Sequence, residues 1–172
     1  MFAPATNRPC AALSLALIAA SLGAAAPGSA VGQIQSSVSG LHYGTSAAAE
    51  LACNAGKPAG TKDSWVEANG AAVESGELRR MSLSFGDPIA TDTFRAAMND
   101  VGARDLALVE VQDADGGWRK VWEGRLSAPA PGFSQSCFEQ KLAQKQVVRA
   151  LRFTFRAAPG DIKVDHAALL RR

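Results

Sequence analysis

The sequence predicts an all-β protein, a two-sheet antiparallel sandwich with one short helix, and three observations carry that expectation. Apolar residues recur at every second position in several stretches from residue 78 onward. Gly-, Pro- and Asp-rich turns separate these stretches at short intervals. Few segments carry helix signals, the clearest being the Ala-rich run near residue 50.

Residues 1–30 are set apart first. Arg8 supplies a cationic start, Ala11 to Ala26 is a small and apolar run, and Gly28-Ser29-Ala30 offers a cleavage site. A run of this length, at about 1.5 Å per helical residue, falls short of a bilayer core of about 30 Å. The segment reads as a secretory signal peptide with cleavage after Ala30. An uncleaved membrane anchor is the competing reading. Cys10 precedes the apolar run, whereas a lipobox cysteine would follow it.

The remainder, 31–172, is expected to be a single domain without an integral membrane segment. Gln33 to Ser46 is polar and carries Leu41-His42-Tyr43-Gly44, read as loop. Ala47 to Ala52 suits a helix of one or two turns. Cys53 to Lys62, with Gly56, Pro58 and Gly60, must be loop. Trp65-Val66-Glu67 suits a short strand, and Asn69-Gly70 and Ser75-Gly76 mark turns. Met81, Leu83 and Phe85 alternate with serines as a half-buried strand that Gly86-Asp87-Pro88 should end. Ile89 to Met98 admits a helix, because Ala96-Ala97-Met98 favours one. Leu106 to Gln112 is apolar on both faces and reads as a central strand. Asp113 to Gly117 is a hairpin turn, with Trp118 to Glu123 returning as the partner strand. Phe133 to Gln140, Val147 to Phe155 and Asp161 to Leu170 read as further strands beyond a Pro-rich loop at 127–132. Phe85, Phe94, Val109, Leu151, Phe153 and Leu169 are the expected core.

Charge narrows the function. The chain has 18 Lys+Arg against 16 Asp+Glu, too balanced for a cationic nucleic-acid binder. Cys53 and Cys137 remain after signal removal. Two cysteines in an exported chain suggest a disulfide, with two buried free thiols as the alternative. Nucleophile elbows and Gly-rich phosphate loops do not occur, and no carboxylate pair stands out, so no enzymatic activity is expected.

Several segments together resemble discoidin-like (coagulation factor 5/8 C-type) domains of the galactose-binding-like jelly-roll superfamily. They are Leu83-Ser84-Phe85-Gly86-Asp87-Pro88-Ile89, Val109 through Trp118 with its Asp-Gly turn, Val148 to Phe155, and Val164-Asp165-His166-Ala167. Ala52 to Pro58 and Ser64-Trp65 are similar to the opening region. The likeness covers about residues 36–170. His166 and Cys53 depart from the pattern. The resemblance implies a jelly roll and a non-catalytic binding module that recognises carbohydrate, lipid head groups or proteins through loops at one end. It also implies that a structural calcium ion is held in some members.

His42, Tyr43, Asp63, Trp65 and Trp118 are the candidate ligand-binding residues. An exposed indole can stack on the apolar face of a sugar, while core packing is the competing role for Trp65, Trp118 and Trp122. Trp118 and Trp122 are four apart and are expected to share a face. Asp63, Asp113 and Asp115 are candidate calcium ligands, although Asp113-x-Asp115-Gly116 is first of all a hairpin turn. The expected partner is a glycan. The other reading is a structural or protein-interaction module of the bacterial envelope. The expected location is secreted or periplasmic.

Overall fold

The computed structural model describes residues 37–38, 40–55, 63–74, 78–127, 134–156 and 159–171. The expected signal peptide lies outside them, as do residues 56–62 and most of the Pro-rich loop. Nine strands form one continuous sheet. They are β1 (Ser37–Val38), β2 (Leu41–Gly44), β3 (Trp65–Glu67), β4 (Gly70–Glu74), β5 (Arg79–Met98), β6 (Leu106–Gln112), β7 (Trp118–Glu123), β8 (Ser136–Phe155) and β9 (Ile162–Leu170). Two short helices interrupt them, α1 (Ala47–Asn54) and α2 (Asp100–Asp105).

β5 and β8 are each 20 residues long and pair antiparallel from Arg79–Phe155 to Met98–Ser136. Gly86-Asp87-Pro88 therefore does not end a strand, Ile89 to Met98 is strand and not helix, and the two strands expected within 133–155 are one. Residues 94–98 are all buried, so no face of this segment shows a polar–apolar period. Ala96 and Ala97 then look helix-prone locally, and burial on both sides overrides them.

The pairing of β5 and β8 is offset twice. Ser84 faces Ala150 and Ile89 faces Val148, so the four residues 85–88 of β5 oppose only Arg149. Thr91 faces Gln146 and Thr93 faces Lys141, so 142–145 of β8 now oppose only Asp92. The second bulge cancels the first and restores the register. Pro88 sits in the first bulge, where its missing N–H costs no ladder bond.

These offsets separate two layers that share β5 and β8. Layer one is β4, the first half of β5, the second half of β8, β6 and β7. Layer two is β1, β2, β9, the second half of β5 and the first half of β8, with β3 also on β9. The result is the two-sheet jelly-roll sandwich the sequence predicts, with β2 running parallel to β9 as an exception to the antiparallel pattern.

The layers close on one apolar core. All six expected core residues are in it. Met81, Leu83, Phe94, Leu151 and Phe153 have no exposed surface, and each such side chain contributes about 1.5–3 kcal/mol by burial. Trp122 of layer one packs on Phe138 at 5.0 Å, and Phe138 meets Phe94 edge-on at 5.6 Å.

The two helices are set by caps. Ser46 Oγ accepts from Ala49 N at the start of α1, and Asn99 Oδ1 accepts from Gly102 N at the start of α2. Gly102 is closely surrounded, since a Cβ there would lie 3.1 to 3.3 Å from Asn99 Oδ1, Met98 Cβ and Ile162 Cγ2. α1 lies on the outer side of layer two, where Ala49, Cys53 and Ala97 form a small second cluster with Cys137. Cys53 and Cys137 are disulfide-bonded, which ties α1 to the start of β8.

The bond closes a loop 84 residues apart in sequence. By the chain-entropy argument it contributes about 4 kcal/mol or more. The Cys53→Ser, Cys137→Ser double variant should unfold at correspondingly lower denaturant, and hydrogen exchange should report the first loss of protection in α1. Equal midpoints for the two proteins would contradict this account.

Candidate functional site

The inner faces of both layers are spent on the core, so any site must use an outer face or an end. The two outer faces differ in kind.

The outer face of layer two is closed. It holds a cluster of polar side chains that a β-bulge creates. Arg95 faces Ala168 and Ala97 faces Asp165, so β9 carries one residue more than β5 over this interval. His166 takes the left-handed conformation there, with φ of 50°, a state that costs a non-glycine residue about 1–2 kcal/mol. The extra residue shifts the alternation. Val164 and Ala167 both point into the core, leaving Asp165 and His166 side by side on the outer face.

Both are buried, as is Arg95 beside them. An Arg95 guanidinium N–H faces His166 Nε2 at 2.6 Å, and another donates to Asn54 Oδ1 of α1 at 3.1 Å. An arginine has only donors, so Nε2 must accept and the proton sits on Nδ1. Nδ1 lies 2.9 Å from Glu67 Oε1 and donates to it. The guanidinium also lies over the Trp65 ring at 4.1 Å, a cation–π contact. Burial lowers the Arg95 pKa, opposed by Glu139, Glu50, Asp63 and Glu67. Asp165 Oδ2 accepts from Gln135 Nε2 at 2.6 Å and from Ser46 Oγ at 3.5 Å, with Lys163 Nζ at 3.4 Å. Gly44 is required beneath it, because a Cβ there would lie 2.9 Å from Asp165 Oδ1.

This Glu67–His166–Arg95 relay has the outline of a catalytic array but lacks its chemistry. Both ring nitrogens are engaged, and the donor on Nε2 is a guanidinium, which keeps its proton and has no nucleophilic lone pair. The cluster is an anchor for Trp65 and α1.

Among the described residues, neither helix packs on the outer face of layer one. Its outward residues align in rows across five strands. One row is Gly70, Ser84, Ala150, Gln112 and Trp118. The next is Ala72, Ser82, Arg152, Glu110 and Lys120. The third is Glu74, Arg80, Thr154, Leu108 and Glu123. Arg152 donates to Glu110 at 2.7 Å and its guanidinium lies over the Trp118 ring at 4.2 Å. The hydrogen bond with Glu110 raises the Arg152 pKa. Gly70, Ala72, Ser82, Ser84 and Ala150 make a low shelf beside this aromatic corner.

The sequence candidates thus scatter. His42 and Tyr43 are on strand β2, not in a loop. Tyr43 is buried in the core, its hydroxyl donates to the Ala68 carbonyl, and burial pushes its pKa up to about 12. It is a packing residue. His42 is half-buried opposite Lys163. Trp65 belongs to the closed face and Asp63 is exposed beside it in sequence. Trp118 alone stands on the open face. Trp118 and Trp122 do not share a face: the partner register slips between Val109 and Glu110, so Trp118 opposes outward Gln112 while Trp122 opposes inward Val109. Asp113 Oδ1 accepts from Asp115 N and Gly117 N and so closes the hairpin. Among the described residues no three His, Cys, Asp or Glu side chains group as a metal site, and no helix is long and apolar enough to cross a membrane. Sequence reasoning missed Arg95, Glu67, Gln135 and Glu110. The signal for the first was a lone arginine within Phe94–Met98, whose other residues are apolar.

Burial first, and then the Arg95 charge, hold the His166 pKa below its usual value, against the opposing pull of Glu67 and Glu50. A base with a depressed folded pKa destabilises the fold where the unfolded chain takes the proton and the folded one does not. Stability should therefore be unaffected by this group above about pH 6.5 and fall as pH drops below it. Denaturant titrations should show this decline in the wild type and a flatter profile in His166→Gln; parallel profiles would remove His166 as the cause.

No family model matches the chain, and no curated protein matches it. Solved structures of carbohydrate-binding modules do match. One, from Clostridium perfringens, holds GalNAc-β-1,3-galactose; it is 12% identical over 54% of this chain and 66% of that one, with a TM-score of 0.39. A family 32 module from the Streptococcus pneumoniae EndoD protein is 13% identical over 59% of this chain and 75% of that one, with a TM-score of 0.38. A further CBM32 module, from a family 31 glycoside hydrolase of Clostridium perfringens, is 8% identical over 60% and 96%, with a TM-score of 0.42.

Proposed function

We propose that the chain is an exported, non-catalytic module that binds carbohydrate. The observation that carries this reading is the aromatic corner of the open face. Trp118 is half-buried and outward, fixed on one side by Arg152, and flanked by Gln112, with Ala150 and Ser84 further along the same row. A held indole loses little freedom on binding, and the apolar face of a sugar ring matches it. Hydroxyls of the same ring find donors and acceptors on either side. The reading places recognition on the sheet surface next to the β6–β7 hairpin, not only on loops.

Export is supported by the signal-like run at 11–26 and by the disulfide, which persists in oxidising compartments. The absence of catalysis is supported by the closed arrangement around His166, in which neither ring nitrogen is free to act as a base.

A glycan array probed with the protein, in calcium and in chelator, tests this. Retention of at least one saccharide class is expected in both conditions, lost in Trp118→Ala and kept in Tyr43→Phe, whose hydroxyl faces the interior. Failure to retain any glycan, with a single envelope protein co-purifying instead, would overturn the reading in favour of a protein-interaction module.

A further inference from the structure

The open face narrows the class of saccharide. We propose that it takes an uncharged polysaccharide lying across the strands, from Trp118 toward the shelf at Ser82 and Ser84; this rests on the carbohydrate reading above.

Charge is the first argument. Three rows on this face contain six charged side chains, and each has an opposite partner: Glu74 with Arg80 at 3.8 Å, Glu110 with Arg152 at 2.7 Å, and Lys120 with Glu123 at 2.7 Å. No cation in these rows is left over for a carboxylate, sulfate or phosphate. Arg152 gives only its Nε–H to Glu110, but an acidic group taking the remaining N–H donors would stand against the Glu110 carboxylate, a like charge. Both side chains are less than one-fifth exposed, so that repulsion is weakly screened. Uncharged hydroxyls do not meet this penalty. A hydroxyl donates to a carboxylate oxygen and accepts from a guanidinium N–H, so a ring bearing neighbouring hydroxyls can bridge Glu110 and Arg152 while their own bond stays intact.

Relief is the second argument. Ala150 faces outward at the level of the strands and is only 5% exposed. Gly70, Ala72, Ser82 and Ser84 continue this low ground to β4. At about 4.8 Å between strands, the five-stranded face is about 19 Å across, room for several sugar rings in line and more than a single one fills. The indole lies at one end of that path, and the hydroxyls of Ser82 and Ser84 lie three strands along it, about 14 Å away. A polymer can use both ends together; a monosaccharide can use only one.

Affinity electrophoresis of the full chain tests this with soluble uncharged polysaccharides (a xylan, a mannan and a mixed-linkage glucan) against acidic ones (polygalacturonate and alginate), at low and high salt. The expected result is retardation by at least one uncharged polymer, independent of salt. Trp118→Ala should weaken it about tenfold, the loss of one stacking contact. Ser84→Arg, at an exposed position, should weaken it similarly by standing in the shelf, with its fold verified by circular dichroism. Retardation by acidic polymers that salt abolishes would overturn the assignment and leave the carbohydrate reading in place. So would retention of an uncharged polymer that neither substitution affects. No retardation by any saccharide would remove both.

Discussion

Everything in this molecule depends on two strands serving two sheets. β5 and β8 stay hydrogen-bonded to each other from end to end, yet their first and second halves belong to different layers. A pleated strand cannot bend that far and keep every ladder bond, so each chain gives up residues to a bulge. The bulges are offset along the pair, one at 85–88 and one at 142–145, and together they leave the register unchanged. The core forms in the fold they create. Phe94 and Phe138 of one layer then meet Trp122 of the other.

The same economy decides which outer face is free. Layer two receives α1, a disulfide and a third bulge at His166, and these fill its surface with buried polar contacts. The Arg95 guanidinium is the centre of that surface: it reaches α1 through Asn54, β9 through His166 and β3 through Trp65. A buried cation needs such a set of partners to be tolerated at all. Among the described residues layer one has no comparable covering, and its polar groups stand in ordered rows. The proposed recognition is assigned to it by exclusion as much as by its own chemistry.

Sequence patterns disclosed the parts of this arrangement that are local. β6, the Asp113–Gly117 turn and β7 are read directly, because alternation and turn chemistry act over a few residues. The cysteine pair was legible from its count. What stayed hidden has long-range causes. Residues 94–98 lose their alternation because α1 and β3 cover one side and the core the other. The continuity of β8 is masked by Gln140, Lys141, Gln144 and Lys145, polar residues that stand around a bulge and read as a loop. The bulge at His166 has no sequence signature, since a histidine rarely takes a left-handed conformation; only the polar pair Asp165-His166 within an apolar run hinted at it. The same slip of one residue misplaced Trp118 relative to Trp122. Tyr43 looked like a loop aromatic because its strand is four residues long and parallel to a partner more than a hundred positions away.

The sheet that stays uncovered also ends in two strands, β4 and β7, that among the described residues pair on one side only. Bare backbone of that kind is an invitation to stack with a neighbouring copy, and such stacking ends in fibres. Arg119, Lys120 and Glu123 stand along one rim and Glu74 on the other, where a second molecule would have to strip their hydration before docking. β7 slips its register at Val121, which spoils the straight template that a foreign strand would need. The borders of this sheet are thus a poor place for another copy of the same molecule.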